Sequence, residues 1–456
     1  MRIINSLEEA RAFLTRRDSF ELKIVPPALK KHLTEVFGSY LSPDQAVAHI
    51  INEVRGKGDT ALLDYTRRID RVELGSLGVT PDEIEAARRS VEPGLAKALG
   101  EAARRVRSFY VEASRHAATS WLNKRKGLGQ VVRPLERVGV YVPGGTASYP
   151  STVIHTVTVA KVAGVKEVII ATPPWPDGSV LPPVLAAAEA AGADRVFKMG
   201  GAQAIAAMAF GTESVPRVDK IVGPGNLFVM LAKKQVFGYV GIDGLHGPTE
   251  TMIIADDSAN PSFCAADLLA QAEHDILARP VLAATSSRMA ETVVAEVEAQ
   301  LPSLERAGIA RTALENGGAV IVVRSMDEAL DLANLFAPEH LCLSVKDATS
   351  YIDRVRNAGG VFVGEWSCEV LGDYNAGPSH VMPTSGTARF GSALGLQDFV
   401  KIVSVVALDV GTSGRVSQDA AMIAKAEGLT AHERAAKLRM KGTEWQDRSK
   451  KRQSPG

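Results

Sequence analysis

The chain has 456 residues, 46% hydrophobic and 23% charged, which is enough for two or more domains with sizeable cores. Its formal net charge is zero, so nothing in its charge favours nucleic acid or an acidic membrane surface. Three scattered cysteines, Cys264, Cys342 and Cys368, lack CxxC spacing. They argue against a disulfide framework and fit a reducing, cytoplasmic setting.

The amphipathic start, with Glu8, Glu9 and Arg11, is unlike a signal peptide, and mostly apolar runs such as Ser151 to Val162 stop short of a membrane span. Up to about residue 125 the pattern predicts helices: Glu8 to Thr15, Pro43 to Val54, Thr60 to Arg68, Pro81 to Ser90, and Leu95 to Tyr110. From Arg137, β-rich runs alternate with Ala-rich helical runs. The predicted strands are 138–142, 167–171, 220–222, 251–255, 280–284, 319–323, 341–345 and 361–363. Predicted helices between them include 184–191, 202–210, 265–273 and 290–301. Alternating β and α units imply parallel sheets covered by helices, and this many strands suit two α/β domains rather than one. The similar rhythm of the halves hints at a duplication. After Asp409 the pattern is helical again, and the basic, polar tail from Arg439 reads as disordered.

Four small polar clusters stand out against this background. Gln271 and His274 close an apolar helical run, and their spacing puts both on one helical face, where they could share a metal. A polar helix end would give the same pattern. Glu339-His340 sits at a helix-to-strand junction. An adjacent carboxylate and imidazole suit acid/base work, with His340 the better base because imidazole titrates near neutral pH, although a plain turn fits equally. Asp373 and His380 bracket a loop of turn formers, Gly372 to His380, which offers a carboxylate and an imidazole to a metal such as zinc. Glu427 precedes His432 by five residues.

Three Gly-rich turns, Val142-Pro143-Gly144-Gly145, Gly200-Gly201-Ala202-Gln203 and Gly223-Pro224-Gly225-Asn226, lie in the α/β part, and the first and third follow predicted strands. Such turns can cradle a nucleotide. No strand is followed by GxGxxG. The lookalike at Gly56-Lys57-Gly58 follows a helical pattern and is set aside.

These stretches, with Val138-Gly139-Val140-Tyr141, Ala337-Pro338-Glu339-His340-Leu341, His380-Val381-Met382-Pro383-Thr384 and Leu429-Thr430-Ala431-His432, resemble the histidinol dehydrogenase family over essentially the whole chain except the tail. The resemblance implies two Rossmann-like parallel-sheet domains without the GxGxxG fingerprint, plus smaller helical N- and C-terminal parts. It divides the chain into an N-terminal helical segment 1–30, a discontinuous α/β domain 31–137 and 249–390 bearing the metal and catalytic residues, and a second Rossmann-like domain 138–248. A C-terminal helical dimerisation part, 391–438, and the tail 439–456 complete it.

The implied chemistry is a Zn2+-dependent, NAD+-linked four-electron oxidation of L-histidinol to L-histidine through bound histidinal. By the same resemblance Gln271, His274, Asp373 and His432 are the metal ligands, His432 reaching the site of a partner in an intertwined homodimer. His340 is the base and Glu339 activates water. Tyr141, Gln203 and Asn226 contact NAD, and Thr249, His380 and Glu427 join Gln271, His274, His340, Asp373 and His432 around the substrate. The chain departs from the family pattern at Leu245-His246-Gly247-Pro248-Thr249-Glu250, where a small residue followed by Gly-Pro-Ser-Glu is usual. Thr249 keeps the hydroxyl and adds a methyl, and His246 adds a bulky polar group. A same-fold relative that oxidises another small polar alcohol is therefore the first alternative reading, and a zinc hydrolase the second.

Overall fold

The structure, a computed structural model, describes residues 1–15, 25–144 and 149–441. It holds two parallel sheets and one antiparallel sheet. Expectations that concern Gly145, and most of the tail assigned to 439–456, lie outside the described residues, although the last helix, Thr430–Met440, takes in Arg439 and Met440.

The second sheet is the simpler one. In chain order its strands are Arg137–Tyr141, Glu167–Thr172, Arg195–Lys198, Lys220–Val222 and Gly241–Ile242. In space they run third, second, first, fourth, fifth. The order reverses between Arg137–Tyr141 and Lys220–Val222, and in open α/β sheets ligands bind at the carboxyl ends of the strands flanking that point. The turns after these two strands begin at Val142 and Gly223. Gly223 has φ of +110°, and a Cβ there would lie 2.2 Å from the Tyr141 carbonyl oxygen, so only glycine fits where the two strands end side by side.

The first sheet repeats this order. Strands Glu250–Ala255, Arg279–Ala284, Ala319–Val322, His340–Ser344 and Gly360–Val363 take the same five positions, and a short strand, Arg2–Ile4, adds to the edge beside Ala319–Val322. Successive residues point to opposite faces, so Ile253, Leu282 and Val320 pack with Leu268, Leu269 and Val293, while Met252, Ile254 and Val281 pack with Leu14, Leu330 and Phe336. The helical start expected for 1–30 is thus a strand first, followed by the helix Leu7–Leu14.

Helix packing departs from the expected partition. Val47, Ile50, Leu62 and Tyr65 of helix Pro43–Tyr65 bury against Ile169, Phe197 and Ile205. Leu99, Val106 and Tyr110 of Pro93–Ser114 bury against Val138, Val140 and Val153. These helices cover the second sheet, although the sequence assigned 31–137 with the first, because both carry apolar faces that the second sheet's strands cannot otherwise cover. The helices expected at 43–54 and 60–68 are one element, Pro43–Tyr65, broken at Gly58 (φ 54°). Glu213 occupies the space a Gly58 side chain would need and accepts from the Asp59 N–H at 2.8 Å.

A second compact unit, 117–134 and 400–441 of the described residues, contains the antiparallel strands Trp121–Asn123, Leu128–Pro134 and Val400–Val406 and the helices Val410–Ala426 and Thr430–Met440. The helical part expected over 391–438 therefore includes a strand, and its β-branched run Val-Lys-Ile-Val-Ser-Val-Val suits one.

The Gly223 turn is held from beneath by buried charge. Lys233 donates to the Gly223 carbonyl at 2.9 Å and is paired with Asp243, which accepts from the Gly223 N–H at 2.7 Å. Burial pushes the Asp243 carboxyl up, but Lys233 and His246 together hold it well below the usual carboxylate range. Breaking such a pair strands one charge in the core. Lys233→Met should therefore destabilise the protein by about 3–5 kcal/mol in denaturant unfolding, and the double variant with Asp243→Asn should recover most of that. A single variant within about 1 kcal/mol of the unsubstituted chain would contradict a stabilising pair.

Candidate active site

Thr249, Glu250 and His340 stand where two adjacent strands begin, since His340 pairs with Thr251 across the strands Glu250–Ala255 and His340–Ser344. The site thus uses the amino-terminal edge of the first sheet, at the reversal point of its strand order. Helices end at this edge. Pro261–Ala272 stops just before His274, and Met326–Phe336 stops at Ala337, whose left-handed φ of 53° turns the chain into Pro338-Glu339-His340. Asp373 lies in the last turn of Glu369–Tyr374. A helix C-terminus carries roughly half a negative charge, so this edge favours a cation.

The side chains form one connected network. Thr249 Oγ1 lies 2.7 Å from both Gln271 Oε1 and Glu339 Oε2. Glu339 Oε2 also accepts from the Glu250 N–H at 3.3 Å and sits 3.7 Å from His340 Nδ1. His340 Nε2 is 3.3 Å from Asp373 Oδ1. Burial opposes charging His340, yet Glu339 and Asp373, with Glu369 behind them, raise its pKa to about 10. Burial likewise pushes Asp373 up, but its hydrogen bond to His340 and the charges of His340, His380 and His274 bring it below the usual range. An imidazole so flanked keeps its proton. Sharing Asp373 with a cation would weaken that hold.

His380 is fixed on both ring nitrogens. Nδ1 donates to the Asp373 carbonyl at 2.7 Å, and Nε2 lies 3.3 Å from Thr152 Oγ1. His155 stacks on it at 4.6 Å, with its own Nε2 3.2 Å from the Tyr374 carbonyl. Burial lowers the His155 pKa to about 3, and burial lowers that of His380 too, against the raising pull of Asp373. Both Thr152 and His155 come from Pro150–Val162, a helix of the second sheet, so that sheet props the loop after Asp373.

Sequence reasoning did not single out His155, which hides in an apolar run, or Glu369. The Glu369 carboxyl is fully buried, accepts from Thr251 at 2.7 Å and has its pKa raised to about 8 by burial. Glu427 and His432 are exposed and belong to the second unit.

Gln271 and His274 offer a carboxamide and an exposed imidazole, and the His274 charge acts on Asp373. Among the described residues, no three His, Cys, Asp or Glu side chains cluster closely enough to hold a metal by themselves. The expected ligand set takes only His274 and Asp373 of those types from this unit, with Gln271 as the third donor. The buried Gln271 Nε2 has no hydrogen-bond partner, so one end of the carboxamide is unmatched; turned so that its oxygen takes that end, the side chain fits a metal here.

At the carboxyl edge of the second sheet, the buried Tyr141 hydroxyl accepts from the Gly201 N–H at 3.0 Å, and burial lifts its pKa to about 12. Gln203 Nε2 lies 3.4 Å from Asp70, which burial raises to about 6, and Gln203 Oε1 is buried without a partner. Asn226 caps helix Leu227–Val236, accepting from the Phe228 and Val229 N–H groups. A helix N-terminus at the reversal point, Asn226 with Leu227–Val236, and an unused buried acceptor on the helix after the edge strand Arg195–Lys198 fit a dinucleotide.

The chain matches the family model "Histidinol dehydrogenase" over residues 39–440. It is 52% identical over 435 residues to the histidinol dehydrogenase of Deinococcus radiodurans, covering 95% of this chain and 98% of that one. It is also 52% identical over 398 residues to the one of Thermus thermophilus, covering 87% and 94%. The crystal structure of histidinol dehydrogenase from Elizabethkingia anophelis superposes with a TM-score of 0.87 at 34% identity, covering 97% of this chain and 98% of that one. Together with the shared α/β architecture, these matches place the chain in the histidinol dehydrogenase family.

Proposed function

We propose that the chain oxidises L-histidinol to L-histidine through bound histidinal, using zinc and two NAD+ in sequence, as a cytoplasmic homodimer. The observation that carries the reading is the connected set Thr249–Gln271–Glu339–His340–Asp373 at the amino edge of the first sheet. Gln271, His274 and Asp373 hold the metal, and His432 of a partner subunit completes it. Held by these residues, zinc would supply a Lewis acid that helps orient the substrate. Tyr141, Gln203 and Asn226 would hold NAD+, which when bound would supply the hydride acceptor for each step. Thr249, His380 and the partner's Glu427 line the substrate.

His340 takes the hydroxyl proton as the alcohol becomes aldehyde. Glu339 takes a proton from water as it adds to the aldehyde, and the hydrate then loses its hydride to give the acid. No helix among the described residues is long and apolar enough to cross a membrane.

The direct test is NADH formation with L-histidinol beside a panel of small polyols and amino alcohols. Histidinol should give two NADH per molecule. No signal from histidinol with turnover of another alcohol would instead favour the relative suggested by His246 and Thr249.

The division of labour predicts a second result. Glu339→Gln keeps size and removes the basic carboxylate. A general base contributes on the order of 10²–10⁴-fold, so single-turnover NADH formation from histidinal should slow by that much while the first hydride transfer from histidinol suffers less. Equal losses in both half-reactions would leave Glu339 only a support for His340.

A further inference from the structure

Thr249 presents a hydrogen-bond count that does not close as drawn. Its hydroxyl has one hydrogen, yet it lies 2.7 Å from two oxygens, Gln271 Oε1 and Glu339 Oε2. Glu339 Oε2 faces a second donor, the Glu250 N–H at 3.3 Å, so it acts as an acceptor here. If the hydroxyl donates to Glu339, two acceptor oxygens, Thr249 Oγ1 and Gln271 Oε1, meet with no hydrogen between them. At the same time Gln271 Nε2, a donor, is buried with no partner, on a residue only 1% exposed. A buried polar group left unmatched costs about 1–3 kcal/mol.

Exchanging the oxygen and nitrogen of the Gln271 carboxamide resolves both faults together, because the two ends of an amide differ little in shape. Gln271 Nε2 then donates to Thr249 Oγ1, and the hydroxyl donates onward to Glu339. The Gln271 oxygen now occupies the place that lacked a partner, and an oxygen there can ligate a cation where a nitrogen could not.

We propose that Thr249 is a positioning residue whose hydroxyl relays a hydrogen bond from Gln271 to Glu339, turning the Gln271 side-chain oxygen onto the metal and tying that ligand to the carboxylate that activates water. The inference rests on the assignment of Gln271 and Glu339 made above. It also accounts for the hydroxyl at this position: serine would serve equally, and the threonine methyl plays no part in the relay.

Zinc affinity measured by chelator competition on the full-length protein tests the relay without reference to turnover. Thr249→Val is nearly isosteric but cannot relay, and it should weaken zinc binding by about 10–100-fold, the range for outer-shell partners of metal ligands. Thr249→Ser should stay within about threefold of the unsubstituted chain. Thr249→Ala replaces the valine variant if that one fails to fold.

A double-mutant cycle separates relay from general loosening. If Thr249 acts through Gln271, Gln271→Ala and the double variant Gln271→Ala/Thr249→Val should bind zinc equally. Thr249→Val with undiminished affinity, or a double variant whose losses simply multiply, would overturn the relay while leaving the metal site standing. Failure of the unsubstituted chain to bind zinc would overturn both.

Discussion

The polarity of a parallel sheet governs what each edge can bind. Helices that pack on such a sheet begin beyond the carboxyl ends of the strands and finish beyond their amino ends, so one edge gathers partial positive charge and the other partial negative charge. The two edges of this chain's sheets suit opposite purposes. The carboxyl edge of the second sheet offers helix N-termini and the Gly223 turn, a setting for phosphates. The amino edge of the first sheet offers the ends of Pro261–Ala272, Met326–Phe336 and Glu369–Tyr374, a setting for a cation. A metal-assisted oxidation by a dinucleotide needs both kinds of edge.

Two struts connect these edges. On one side, His155 and Thr152 of the second sheet's helix fix His380 and the loop after Asp373. On the other, Lys233 and Asp243 hold the Gly223 turn, and His246, 3.2 Å from Asp243, donates from Nδ1 to the Met382 carbonyl at 2.9 Å. Gly247 donates to Thr384 alongside it at 2.7 Å. His246 is thus packed as a link between the Gly223 turn and the loop 380–384. The residue that most departs from the family pattern has its polar atoms directed into the protein's own framework.

Much of this was legible in the sequence. The alternation of β-branched and Ala-rich runs located the central strands to within a residue or two, because strands buried on both faces read as continuous apolar stretches. Gln271, Glu339 and His340 stood out as polar residues at the ends of such stretches, Asp373 and His380 as the polar ends of a loop of turn formers, and Thr249 through the family resemblance; the structure gathers them. Exposed or edge strands carried no such signal: Arg2–Ile4, Trp121–Asn123 and Leu128–Pro134 bury too little to enforce a pattern. Strand order was also beyond reach, since the identical order of the two sheets depends on which helix covers which face. His155, Asp70 and Glu369 escaped notice because a single titratable residue in a helical or turn segment looks alike whether it is buried or solvated, and Gln203 was found only through the family motif.

The account stands on a cation at the amino edge of the first sheet. An anomalous difference map collected at the zinc absorption edge, from crystals of the zinc-loaded protein, locates that cation directly. The expected result is a single peak per site within bonding distance of Gln271 Oε1, His274 and Asp373, completed by His432 from a second copy of the chain. A peak elsewhere, or a filled site whose ligands all come from one chain without His432, would contradict the account.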